Sequence, residues 1–189
     1  MTTRIRPAQE QDCEQIRELY LHAFSEDEGP VVADMAITLL QEENRHAGLS
    51  LVAEGADLAE DTAALIGHIA FSPVALVNLA SHNAPACRAY ILAPLAVHPN
   101  RQKQKIGSAL VQEGIALLGQ RGLDLLFVYG DPAYYGRFGF AVEPAACYLP
   151  PYPLTYPFGW QVMHLNGFPP AQSPQTLAFV PVLARAELW

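Results

Sequence analysis

The chain has 189 residues, 51% of them hydrophobic, and a formal net charge of −8. That length and apolar content suit one compact domain with a real core, and the acidic balance argues against a general nucleic-acid binder, which carries a net basic face. Cys13, Cys87 and Cys147 are odd in number and far apart, with no CxxC pair, so neither a zinc site nor a disulfide framework is expected. The opening MTTRIRPAQEQD has no apolar signal core, and no run approaches the roughly 18 apolar residues of a spanning helix. The expectation is a soluble cytoplasmic protein with no metal and no membrane contact.

RIRPA (Arg4 to Ala8) reads as a short extended piece ended by proline. From Gln11, QDCEQIRELYLHAF places Ile16, Leu19, Tyr20 and Phe24 at helical spacing, with Cys13 on the same side. The acidic SEDEGP breaks that helix, and VVADMAITLLQEE predicts a second through Val32, Met35, Ala36, Leu39 and Leu40. LSLVAEG is a strand, GADLAEDT a turn, and AALIGHIAFSPV a strand broken by Pro73. LASHNAPA is a loop, and RAYILAPLAV (Arg88 to Val97) a long apolar strand. Pro94 lies inside it and removes a ladder donor, which predicts a bulge or a parting of strands.

A helix follows from about Ile106 to Gly119, with Ile106, Leu110, Gly114 and Leu117 on one stripe and Ala109 and Leu118 beside it. Arg121 and Gly122 end it. LDLLFVYG is a buried strand and DPAYYGRFGF a short helix-turn. YLPPYPLTYPFG is expected to be ordered but irregular; WQVMHLNG and TLAFVPVLARAEL form a closing strand and a C-terminal extension. Residues 1–145 read as the core and 146–189 as an extension completing the same domain.

The chemistry concentrates in VHPNRQKQKIGSALV, where Arg101, Lys103 and Lys105 fall within five positions of an acidic chain. Strand, basic turn, helix and strand make a βαβ unit, expected to be right-handed and buried on both faces. The helix start directs unpaired N–H groups and the positive end of its dipole at the turn, an arrangement suited to phosphate. Gly107, Ser108 and Ala109 put little bulk in its way. GxxxxGK[ST] and GxGxxG are both absent, so a P-loop or Rossmann enzyme gains no support. On spacing alone, a solvated basic turn before a core helix is equally admissible.

LAVHPNRQKQKIGSALV followed by DLLFVYGDPAYYGRFGF resembles the GCN5-related N-acetyltransferase (GNAT) family, in its bacterial predicted-acetyltransferase branch. Gln102, Lys105 and Gly107 occupy the defining positions of the family's [RQ]-x-x-G-x-[GA] turn, with Lys105 where glycine is usual. The resemblance runs from Arg4 to about Val142. It implies an α/β fold (α+β): a mixed, mostly antiparallel sheet with a splayed pair of strands, flanked by helices. It also implies acetyl-CoA as cosubstrate, with CoA as product. Backbone groups of Leu95, Ala96 and Val97 would hold the pantetheine and polarise the thioester. The amides of Gln102, Lys103, Gln104, Lys105, Ile106, Gly107 and Ser108 would hold the pyrophosphate, a side chain at 105 being tolerable if its φ is helical. Pro94 fits the splay.

The same resemblance makes Tyr135 the general acid for the departing thiolate, with Tyr134 the weaker candidate. Glu26, Asp27 and Glu28 border the acceptor side and could attract a cationic amine. Arg137 is either a phosphate contact or a surface ion pair. Gly139 and Phe140 turn the chain into the next strand. Asp131 reads as a helix cap, His68 as a satisfied core or surface histidine, and His98 as a turn residue. The implied reaction is direct acetyl transfer to the primary amine of a small molecule or protein, by a monomer or homodimer. The alternative is a catalytically silent acyl-CoA-binding sensor or partner module.

Overall fold

The computed structural model describes residues 3–56, 63–77 and 87–189. The expected turn GADLAEDT lies mostly, and the loop LASHNAPA wholly, outside the described residues. The elements in order are β1 (Arg4–Pro7), α1 (Cys13–Ala23), α2 (Glu28–Gln41), α3 (Glu43–His46), β2 (Leu49–Ala56), β3 (Ala63–Leu76) and β4 (Ala89–Val97). There follow α4 (Ile106–Gln120), β5 (Leu125–Tyr129), α5 (Pro132–Tyr135), β6 (Tyr148–Leu149), β7 (Trp160–His164) and β8 (Gln175–Phe179). The strands pair in the order β1-β2-β3-β4-β5-β7, with β8 on β3 and β6 on β8. The β4–β5 and β6–β8 pairs are parallel; the β1–β2, β2–β3, β3–β8 and β5–β7 pairs are antiparallel. This is the mixed, mostly antiparallel sheet expected.

Two prolines behave differently from the sequence reading. Pro30 does not stop α2 from starting at Glu28, before the Val31 expected. In the first helical turn no intrahelical acceptor awaits its missing N–H. Ser25 fastens that turn, its Oγ accepting from Glu28 N at 3.3 Å and donating to Glu28 Oε2 at 3.2 Å. Pro73 does not break β3. Registered pairing with β2 runs to Phe71, and pairing with β8 begins at Val74. The proline occupies the interval between these two partners.

Pro94 acts as predicted. The β4–β5 ladder covers Ala89↔Leu125 to Leu92↔Val128 and stops there. Residues 93–97 of β4 have no registered partner on β5.

The chain divides into two compact units: Met1–Phe71 with Ala93–Ala116, and Ser72–Leu92 with Leu117–Trp189. In the first, α1 presents Ile16, Leu19 and Tyr20, and α2 presents Ala33, Ala36, Ile37 and Leu40, to Val52, Leu65 and Ala96. The i, i+3, i+4 spacing gives each helix one apolar face. The N-terminal part of α4 sits close on β3. A Cβ on Gly67 would come within 2.9 Å of Leu110 Cδ1, and one on Gly114 would collide with the Phe71 ring. The buried stripe of α4 is Ile106, Gly107, Leu110, Val111, Gly114 and Leu118; Leu117, expected on it, is only half-buried.

In the second unit β5 is buried from Leu125 to Val128. Phe127 stacks on Trp160 (centroids 5.4 Å apart) and meets Tyr148 edge-on at 5.1 Å. Trp189 closes the cluster against Tyr129, Trp160 and Phe179. Gly122, at φ +77°, ends α4 as predicted. The proline-aromatic segment contributes only β6 and a 3-10 turn at Pro157–Gly159, irregular as expected.

Candidate active site

In the first unit, β4 leads into a 3-10 turn at Pro99–Arg101. His98 anchors it twice: its Nδ1 accepts from Asn100 N at 3.3 Å, and its backbone N donates to Ile66 O at 3.0 Å. Gln102 shapes the turn. Its amide donates to Pro99 O at 3.3 Å and its Nε2 to Val97 O at 3.3 Å. Gln104 Nε2 reaches Asn100 O at 3.4 Å. α4 then opens with Ala109 N donating to Lys105 O at 2.9 Å.

Lys103 and Lys105 have φ of 61° and 66°. The expectation of a helical φ at Lys105 is therefore corrected: its backbone is left-handed. Glycine takes that form freely, whereas a side chain there costs about 1–2 kcal/mol. The turn thus has a glycine-type backbone and a lysine side chain. Residues 102–105 are exposed. Just beyond them α4 begins at Ile106, and the start of a helix carries the positive end of its dipole. Leu95, Ala96 and Val97 lie in the part of β4 beyond its ladder with β5.

Glu26, Asp27 and Glu28 are all exposed, and Glu28 belongs to α2 rather than to the loop. His68 is fully buried. Its Nδ1 pairs with Tyr20 Oη at 2.9 Å, while its Nε2 has no partner among the described residues. It is a core histidine with one nitrogen satisfied, and burial pushes its pKa down to about 3.

In the second unit, Asp131 caps α5 as predicted, its Oδ1 accepting from Ala133 N at 2.9 Å. α5 carries Tyr134 and Tyr135. The Tyr135 ring lies on Gly130, where a Cβ would stand 2.5 Å from its Cε2. It also meets Tyr134 and Phe140 edge-on, at 4.9 and 5.8 Å between centroids. Burial, with a smaller contribution from Tyr134, pushes the Tyr135 phenol well above its ordinary pKa. The group is protonated throughout the neutral range. Tyr134 is engaged instead by Arg137, whose guanidinium carbon sits 4.1 Å above its ring. Gly139 turns the chain at φ +100°, and Phe140 is buried. Beyond them the chain makes one bridge, Ala141↔Val162, in place of a strand.

Among the described residues no group of histidines, cysteines and carboxylates could hold a metal ion, and the three cysteines are free. Sequence reasoning missed the left-handed lysines and a cleft of about 380 Å³ at the end of β5. The proline-aromatic run from Tyr148 to Trp160, which the sequence leaves open as the roof of an acceptor pocket or a dimer contact, was the signal of that cleft.

Residues 13–140 match the model of the acetyltransferase (GNAT) family. The chain is 33% identical over 163 residues to the uncharacterized N-acetyltransferase YjhQ of Escherichia coli, covering 84% of this chain and 82% of that protein. It is also similar to the crystal structure of the Escherichia coli GNAT N-acetyltransferase YhbS in complex with CoA. That match has a TM-score of 0.76 and 26% identity, over 97% of this chain and 92% of the other. A Brucella melitensis GNAT acetyltransferase in complex with acetyl-CoA matches with a TM-score of 0.68 and 27% identity, over 96% and 97% of the two chains. No described helix is long and apolar enough to cross a membrane. The matched region contains the basic turn, α4, β5 and the Tyr135 helix, and the chain belongs to the GNAT family of acetyltransferases.

Proposed function

We propose that the chain transfers an acetyl group from acetyl-CoA to a primary amine by direct attack. The observation that carries this reading is the glycine-like backbone at Lys103–Lys105 opening onto the start of α4. Such a turn exposes backbone donors to an anion, and similar structures hold CoA or acetyl-CoA. In this reading the amides from Lys103 to Ser108 bind the pyrophosphate, and Lys105 adds a charge at its rim. Gln102, whose own amide turns to Pro99 O, serves as the scaffold. Leu95, Ala96 and Val97, in the part of β4 beyond its ladder with β5, hold the pantetheine and polarise the thioester carbonyl.

The neutral amine attacks the carbonyl carbon; the C–N bond forms and the C–S bond breaks. Tyr135 Oη donates a hydrogen bond to the departing thiolate, which takes the proton released by the amine through solvent and leaves as the CoA thiol. A phenol with a raised pKa is a weak acid, so Tyr135 works chiefly by donating a hydrogen bond as charge develops on sulfur. Exposed Glu26, Asp27 and Glu28 attract cationic amines to the chain.

Calorimetric titration with CoA, followed by free-CoA release with a panel of amines, tests the reading. Binding with amine-dependent CoA release is expected. Absence of CoA binding overturns it, and binding with no release across small-molecule and peptide amines favours the silent acyl-CoA-binding module.

A further inference from the structure

The second unit contains a cleft of about 380 Å³ that the pyrophosphate turn does not use. It is lined by Tyr129, Gly130, Asp131, Tyr156, Phe158 and Gly159. The two glycines are tied together. Gly130 N donates to Gly159 O at 2.9 Å, and the buried Gln161 Nε2 donates to Gly130 O at 3.0 Å and Gly159 O at 3.3 Å. Both glycines are there for space: a Cβ on Gly159 would come within 3.0 Å of the Tyr129 ring. With those carbonyls occupied, the cleft has apolar walls and a single carboxylate.

Tyr156 and Phe158 are 60% and 62% exposed, unusual for rings of that size. Their centroids are 5.8 Å apart at 58°, and Tyr129 Oη fixes the first by accepting from Tyr156 N at 2.8 Å. Two open aromatic faces beside one carboxylate match a cation with an apolar body. The cleft also adjoins the proposed acid. Tyr135 packs on Gly130 and stands one turn after Asp131, its N donating to Asp131 O at 3.0 Å.

We propose that this cleft is the acceptor subsite and takes a primary amine with an aromatic or bulky apolar body, its ammonium paired with Asp131 on entry and losing a proton to solvent before the neutral nitrogen attacks. The proposal rests on the acetyl-transfer reading. The ring of the amine lies against Tyr156 and Phe158, and Asp131 holds the nitrogen on the same helix that carries Tyr135.

The test uses 2-phenylethylamine, tyramine and tryptamine, with 2-phenylethanol and spermidine as controls. Each is titrated calorimetrically into the full chain saturated with CoA. At least one aryl amine should bind about tenfold or more tighter than both controls. Phe158→Ala and Asp131→Asn should each weaken that binding about tenfold, with the affinity for CoA unmoved. Asparagine is itself a good N-cap, so Asp131→Asn removes the charge and keeps α5. The proposal is overturned if no aryl amine outbinds the alcohol and spermidine, or if both variants bind like the parent. Assays of CoA release separate the two readings. Aryl amines that bind with no acetyl transfer overturn the transfer and leave the cleft. Acetylation of spermidine in preference to every aryl amine overturns the cleft and leaves the transfer.

Discussion

In the proposed reaction the basic turn and the Tyr135 helix differ in what does the work. At the turn the useful feature is backbone: two left-handed residues, then the start of a fifteen-residue helix. The side chains there are exposed. At α5 the useful feature is a single phenolic oxygen, held by ring contacts with Gly130, Tyr134 and Phe140. The α5 helix itself is four residues long and ends with that tyrosine. A backbone site tolerates changes of side chain and fails when its helix moves. A side-chain site fails with the loss of one atom.

The largest expected effect removes that atom. Tyr135→Phe should lower kcat by about 100-fold or more while the CoA affinity measured by calorimetry stays within about twofold. An unchanged kcat and pH profile would remove Tyr135 from the chemistry. The matching break at the turn comes from beneath it. Gly114→Ala drives a methyl into the Phe71 ring and lifts α4, costing about 1–3 kcal/mol in urea unfolding. CoA affinity should fall with it. If stability and affinity both hold, the turn does not depend on the seat of α4.

His68 makes the scaffold of the first unit sensitive to acid. Its folded pKa, near 3, lies below the unfolded value of about 6.5. Stability from the neutral imidazole is therefore complete above pH ~6.5 and lost as pH falls toward 3. Between pH 7 and 5 the loss is about 2 kcal/mol. Urea midpoints at the two pH values should show it, and His68→Gln should flatten the difference. The smallest effect is the most local. Lys105→Gly frees a left-handed position and should stabilise the chain by about 1 kcal/mol. It should also weaken CoA binding a few-fold at low salt, where the lost charge is least screened. Tighter binding would mean that the lysine crowds the phosphates.

The sequence was most legible where one physical rule dominated. Pro94 lacks a donor, and the β4–β5 ladder ends at Leu92. Gly122 ends α4, and Asp131 caps α5. Apolar residues at helical spacing marked α1 and α2 because those helices bury one face. The reading went astray where tertiary partners decide. Pro73 lies inside β3 because the strand changes neighbours there. Lys105 was expected to be helical although it stands where the family turn has glycine; lysine itself carries no signal for the left-handed conformation found there. The cleft was not located because it joins Gly130 to Gly159, residues far apart in the chain and brought together by the pairing of β5 with β7. Family resemblance supplied the role proposed for Tyr135. The structure adds that its phenol stays protonated and that Tyr134 is engaged by Arg137 instead.

The left-handed lysines also make the turn a protease reporter. Trypsin cuts after lysine and needs an extended chain across its active site. Lys103, Gln104 and Lys105 are exposed while Ile106 is buried, and both lysines must unwind from positive φ before the bonds after them can be cleaved. Limited digestion of the free chain should nick these bonds slowly, releasing fragments that divide the chain just before α4. CoA seated on the turn should slow the nicking further, giving an occupancy assay that needs neither an acceptor nor turnover.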